Sequence, residues 1–70
     1  MATAAEYLRD WVESYVLSEL RTQEEVADLV AECIEDAAAD GISEGELQMA
    51  AGGNLVRYMR NAIRYRDEQM

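Results

Sequence analysis

Hydrophobic residues recur at helical spacing along most of this chain, and the clearest stretch begins at residue 26. Its apolar positions fall at i, i+3, i+4, i+7, i+8 and i+11. That spacing places them along one side of an α-helix, with polar residues on the other. The pattern therefore predicts a helix over residues 23–40. The inward stripe of this helix consists of Val26, Leu29, Val30, Cys33, Ile34 and Ala37.

Three further segments show the same periodicity and predict three more helices. The first covers residues 4–20, and its predicted inward positions are Leu8, Trp11, Val12, Tyr15 and Val16. A short helix over residues 44–51 contributes Leu47 and either Met49 or Ala50. The last covers residues 55–66, with an inward set of Leu55, Val56, Met59, Ala62 and Ile63.

Capping boxes mark three of the predicted helix starts, at Thr3-Ala-Ala-Glu6, Thr22-Gln-Glu-Glu25 and Ser43-Glu-Gly-Glu46. In such a box a hydroxyl accepts from a backbone amide, and a glutamate reaches back to the cap amide. Gly41 is predicted to end the second helix as its C′ residue, with Ile42 as the hydrophobic contact after it. Gly52 and Gly53 end the third helix, and Asn54 caps the fourth. The sequence thus predicts an all-α fold, a small bundle of three main helices plus one short helix, in a single domain covering residues 1–70.

A chain of 70 residues buries a small core, which supplies no more than roughly 3–5 kcal/mol of stability. Domains of this size usually add disulfides, a metal or a partner chain. Cys33 is the sole cysteine and the chain has no histidine, so neither an internal disulfide nor a set of zinc ligands is available. We therefore predict self-association as a homodimer or larger assembly, with no metal and no cofactor.

The residue inventory also limits the chemistry and the setting. With neither histidine nor lysine, one chain cannot assemble a Ser–His or Cys–His nucleophile pair, so we predict no catalytic residues and no enzymatic activity. No apolar run reaches the ~18 residues of a membrane span, and the first ten residues lack the features of a signal peptide. One free cysteine favours a reducing cytoplasm. The net charge of −9 argues against broad affinity for nucleic acid or anionic membrane.

Charge is divided unevenly along the chain. Residues 1–55 hold 13 acids and two arginines, net −11, whereas residues 56–70 hold four arginines and two acids, net +2. On the last helix Arg57, Arg60 and Arg64 fall at i, i+3 and i+7 and share one face. They either offset the acidic face of the second helix, within the chain or across a dimer, or bind an acidic partner. Direct binding to nucleic acid would act against the overall charge.

Other polar and aromatic positions leave two interpretations open. An acidic row on the second helix is a solvated face or an acidic docking surface; it comprises Glu25, Asp28, Glu32 and Asp36. Trp11 and Tyr15, with Tyr7, form an aromatic pocket or belong to the core or a dimer seam. Cys33 is a small buried hydrophobe or a reactive thiol. The candidate partner-binding residues are therefore the three arginines, the four carboxylates of the acidic row, Trp11 and Tyr15.

Three stretches, "EYLRDWVESYV", "DGISEGEL" and "GNLVRYMRNAI", carry a resemblance to a family of short alphaproteobacterial proteins whose domain has no known function. The resemblance implies a bacterial cytoplasmic setting and transfers no functional residue. Together these observations predict a small acidic interaction or regulatory module that is not an enzyme, associates with itself and binds a protein partner. The alternative is an acidic inhibitor that mimics nucleic acid, of the phage anti-defence type, and blocks a basic nucleic-acid-binding protein.

Overall fold

The computed structural model describes residues 3–69, and within that range the chain is helical and forms no strand. Helix α1 continues into a π-helical segment, and a short 3₁₀ turn leads into α2. The elements are α1 (Ala4–Val12), the π segment (Glu13–Leu17), the 3₁₀ turn (Gln23–Glu25), α2 (Val26–Ala39), α3 (Glu44–Ala50) and α4 (Leu55–Gln69). The predicted all-α class is confirmed, and α4 runs three residues beyond its predicted end.

The predicted helix starts are found, with side chains satisfying amides that the helix itself leaves unpaired. The Thr3 hydroxyl accepts from the amide of Glu6, and the Ser43 hydroxyl accepts from the amide of Glu46, both at 3.2 Å. At the second start the Glu25 carboxylate reaches back to the amide of Thr22 at 3.4 Å. At the start of α4, the side-chain oxygen of Asn54 accepts from the backbone amide of Arg57 at 3.0 Å.

The first helix departs from the prediction after Val12, because its hydrogen bonds change from i→i+4 to i→i+5. The amide of Ser18 donates to the carbonyl of Glu13 at 3.1 Å, and the Ser18 hydroxyl donates to the same carbonyl at 2.7 Å. An i→i+5 turn takes in an extra residue and rotates the following side chains off the α-helical stripe. As a result Tyr15, predicted to point inward, has 48% of its surface exposed, whereas Val16 stays fully buried.

Left-handed residues follow the π segment, α2 and α3. Gly41 and Gly52 have φ of 84° and 82° and occupy the C′ position, where glycine is free of the strain that a Cβ would cause. The chain folds back after each, so that the amide of Ile42 donates to the carbonyl of Ala37 at 2.9 Å. After the π segment this position is held by Leu20, with φ 54°. Leu20 is the one residue other than glycine with positive φ in the described range.

The core is a single cluster drawn from every α-helix and the π segment: Leu8, Trp11, Val12, Val16, Val26, Leu29, Cys33, Ala37, Leu47, Leu55, Met59 and Ile63. Each of these was predicted to face inward. One other inward prediction is wrong: Val56 is 41% exposed, because it lies about 100° around the helix from the buried Leu55. Of the two alternatives on the short helix, Ala50 packs against the core and Met49 is 82% exposed.

Helix α2 lies at the centre of the arrangement and contacts α1, α3 and α4. Helix α1 also packs on α3, and the π segment packs on α4. The amide side chain of Gln23 donates to the carbonyl of Arg60 at 2.9 Å, which fixes the start of α2 beside the middle of α4. The buried side of α4 carries Leu55, Met59 and Ile63, and its outer side, which carries Arg57, Arg60 and Arg64, faces away from the core.

Candidate functional site

The three arginines predicted to share a face do so. Arg57, Arg60 and Arg64, here called the arginine face, are exposed on α4 and line one shallow cavity of about 580 Å³. Gln23, Asn54 and Asn61 add side-chain amides to its wall, and Val56 also lines it. Guanidinium groups and amide donors in one concavity suit carboxylate or phosphate oxygens, which guanidinium binds through paired hydrogen bonds.

The arginine face makes no ion pair with the acidic row of α2 among the residues the structure describes. Arg64 pairs instead with Glu68 on its own helix, with 3.4 Å between Nε and Oε1. Arg57 and Arg60 have no carboxylate within ion-pair distance in residues 3–69. The expected match of opposite charges within one chain is thus not made by direct pairing, and the arginine face stays open to a partner.

The acidic row divides into two carboxylates with partners in the chain and two without. Glu25 pairs with Arg21, and this contact lowers the pKa of the Glu25 carboxyl and raises the pKa of the Arg21 guanidinium. Asp36 accepts a hydrogen bond of 2.8 Å from the indole nitrogen of Trp11. Asp28 and Glu32 are exposed and form no hydrogen bond or ion pair within the described range. The row is therefore partly structural and partly free.

Trp11 and Tyr15 separate into a core residue and a surface residue. Trp11 is only 5% exposed, and the hydrogen bond to Asp36 satisfies its one polar atom. The Tyr15 ring packs against the Trp11 ring on its outer side, with the ring centroids 5.2 Å apart and the ring planes tilted by 45°. Trp11 is therefore unavailable to a partner, whereas Tyr15 remains accessible.

A second concavity beside the arginine face was not predicted from the sequence. Tyr58, Ala62 and Tyr65 of α4 form one wall of this tyrosine groove, and Leu17 of the π segment lies opposite, around about 480 Å³. Arg57 and Asn61 line both concavities, so the two adjoin. Tyr58 and Tyr65 are seven residues apart on one helix, and this spacing in the sequence already indicates that they share a face. The opposite wall depends on tertiary packing, and no local pattern shows it.

Arg66 is the basic residue of α4 with a structural contact to another element. Its side chain is only 13% exposed, and one terminal nitrogen donates to the carbonyl of Val16 at 3.3 Å. The other terminal nitrogen pairs with Asp67 at 2.8 Å. Arg66 thus holds the end of α4 against the π segment.

Cys33 is a core residue, as expected from its place in the apolar stripe. It has no exposed surface and is a free thiol. Burial, with the nearby Asp36 carboxylate as the second cause, raises the pKa of the thiol to about 11. Because the thiolate is the reactive form, this environment suppresses its chemistry at neutral pH.

Across residues 3–69, no three metal-ligating side chains come together, and no helix has the length and apolarity required to cross a bilayer. The arrangement offers polar recognition by arginine and amide groups, next to a tyrosine-lined groove. No protein-family model, curated protein or solved structure matches this chain.

Proposed function

We propose that this protein is a small acidic interaction module without enzymatic activity, which binds an acidic protein surface through the outer side of α4. The observation that carries the proposal is the arginine face, because it is open, concave and free of direct pairing with the acidic row. In a chain of net charge −9, three arginines left facing solvent are available to carboxylates from another surface.

The tyrosine groove supports the same assignment. Aromatic residues and arginine are enriched in the buried centres of protein interfaces, and here both types line adjoining concavities. Tyr65 is 65% exposed, so covering it would remove a large apolar area from water. A protein partner would thus gain charge complementarity from one concavity and apolar burial from the other.

The nucleic-acid mimic has weaker support. A mimic needs free carboxylates to stand in for phosphates, but Glu25 and Asp36 at the two ends of the acidic row already have partners. Only Asp28 and Glu32 in the middle of that row remain free within the described part of the chain. A bacterial cytoplasmic setting, implied by the family resemblance and by the single buried thiol, is part of the proposal.

Affinity capture with site-specific variants tests the proposal. Tagged parent protein is compared with R57E/R60E/R64E, with Tyr65→Asp in the tyrosine groove, and with the control D10R/D40R/E44R on other surfaces. We expect proteins, including further copies of this chain, that bind the parent and the control but are lost with both α4 variants. Equal capture by all four would show that the outer side of α4 is not the binding surface.

A further inference from the structure

We propose that the arginine face binds the outer side of α2 from a second copy of this chain, with the two helices antiparallel. The proposal rests on the proposed function and names its partner. Every contact it requires lies between groups that face solvent in one protomer. It also explains why the arginines of α4 and the carboxylates of α2 do not pair with each other within residues 3–69 of one protomer.

The acceptors are three carboxylates of α2 that the protomer itself does not use. Asp28, Glu32 and Glu35, here called the acidic stripe, are exposed and form no ion pair or hydrogen bond within residues 3–69. At 100° per residue they lie within about 60° of arc on the helix surface. They therefore form a narrow row, directed away from the buried side of α2.

The two rows match in length and in spacing when one is reversed. The arginines are separated by three and then four residues, and the carboxylates by four and then three. An antiparallel alignment places Arg57 opposite Glu35, Arg60 opposite Glu32 and Arg64 opposite Asp28. At 1.5 Å per residue, the successive pairs are about 4.5 Å and 6 Å apart on both helices. A parallel alignment also matches the outer pairs but leaves the middle pair one residue, about 1.5 Å, out of register.

Each protomer carries both rows, so a two-fold axis that passes between the α2 and α4 helices of the two copies would let the contact form twice. An isologous pair of this kind is the commonest arrangement of soluble oligomers. A standard interface buries about 800 Å² on each partner, which is about a sixth of this protomer's 4655 Å². Helices of 14 and 15 residues are about 21–23 Å long, sufficient to span such an interface.

Net charge opposes the association of two copies at −9 each, but distance decides the balance. Ionic screening extends over about 8 Å at physiological salt, so charges on the far sides of the protomers contribute little. Paired guanidinium and carboxylate groups would lie within about 4 Å, well inside that distance. Local attraction between the two rows therefore prevails over repulsion between the remaining charges.

The test is a charge exchange followed by sedimentation velocity over micromolar to millimolar concentrations. R57E/R60E/R64E makes both rows acidic and takes the net charge from −9 to −15. D28R/E32R/E35R makes both rows basic and takes it to −3. The control D10R/D40R/E44R also has a charge of −3 but leaves both rows intact. Circular dichroism checks folding, and R57Q/R60Q/R64Q serves in place of the glutamate variant if that variant is not helical.

We expect the parent and the control to associate, and each row variant alone to lose at least about tenfold in association constant. An equimolar mixture of the acidic and basic row variants should recover association as a mixed dimer. With the glutamine variant in place of the glutamate one, the expected result is the tenfold loss without recovery in the mixture. A parent that stays monomeric up to about 1 mM, a control as weakened as the row variants, or no recovery with the glutamate variant would overturn the proposal.

Failure of this proposal can be told apart from failure of the proposed function. If the parent is monomeric but still captures another protein through the arginine face, the second copy is the wrong partner and the interaction function stands. If neither self-association nor capture depends on α4, both proposals fall.

Discussion

Raising the pH from 8 to 11 should destabilise the parent protein relative to a Cys33→Ala variant. Cys33 is fully buried, and its thiol has a folded-state pKa of about 11 against an ordinary value of 9.0. Between these two values the unfolded chain releases the proton while the folded chain keeps it. The unfolded state then binds fewer protons, so the free energy of unfolding falls with rising pH. The stability associated with the neutral thiol is complete below pH 9 and is lost as pH rises through 11.

The size of the effect follows from the separation of the two pKa values. Linkage gives a loss of about 1.4 kcal/mol by pH 10 and about 2.3 kcal/mol by pH 11, with a limit near 2.7 kcal/mol. At pH 8 the alanine variant should be less stable than the parent by about 1 kcal/mol, since it loses a small buried group. The two proteins should therefore be equally stable near pH ~10, and above that pH the variant should be the more stable.

Urea unfolding followed by circular dichroism, at half-unit steps from pH 8 to 11, measures both proteins. The four tyrosines are common to both, including Tyr7, whose pKa is raised by burial and by Asp40 and Asp36. The part of their contribution that does not involve Cys33 cancels in the difference between the two proteins, whereas the charge on Cys33, which also raises the pKa of Tyr7, is present only in the parent. A stability difference that stays constant across this range would refute the buried, neutral thiol. Rapid reaction of Cys33 with a thiol reagent at pH 8 in the absence of urea would do the same.

Three pairs of substitutions test other parts of the fold by urea unfolding at pH 7. Trp11→Phe should cost about 1–2 kcal/mol, because it removes the indole donor to Asp36, and Asp36→Asn, which keeps an acceptor, should cost less. Leu20→Gly should be more stable than Leu20→Ala by about 1 kcal/mol, because only glycine relieves the positive φ. Gly52→Ala should lose about 1 kcal/mol at φ 82° although its Cβ would meet no atom within 4 Å, whereas Gly45→Ala inside α3 should gain about 0.5–1 kcal/mol. A reversed order in any pair would contradict the corresponding assignment.

Most of the fold could be predicted because its helices are encoded by local sequence patterns. The apolar stripes and the hydroxyl or asparagine caps identified every α-helix, and the buried set came from those stripes. The π segment could not be predicted, because its wider turns depend on contacts distant in sequence. Arg66 donates to the carbonyl of Val16 from 50 residues away, and the π segment packs on α4. Tyr15 was misplaced for that reason alone.

The candidate site was predicted in part. The spacing of Arg57, Arg60 and Arg64 placed them correctly on one face, since i, i+3 and i+7 is a property of the helix itself. The ion pair of Arg21 with Glu25 joins residues four apart, so it is a local feature that the sequence contained, although we did not predict it. The tyrosine groove could not be predicted, because it needs Leu17 from another element.

The residues proposed for association lie outside the core, so the proposal predicts that association can be changed with little effect on stability. The core contains no charged side chain, and within residues 3–69 the arginine face adds to it only the exposed pair of Arg64 with Glu68. Such an i,i+4 pair is worth about 0.3–0.5 kcal/mol. R57E/R60E/R64E should therefore unfold within about 1 kcal/mol of the parent at concentrations too low for association, and any excess loss should vanish at 1 M salt, where screening acts within about 3 Å. A larger loss that persists in high salt would show that the arginines stabilise the monomer, and the arginine face would no longer be free for a partner.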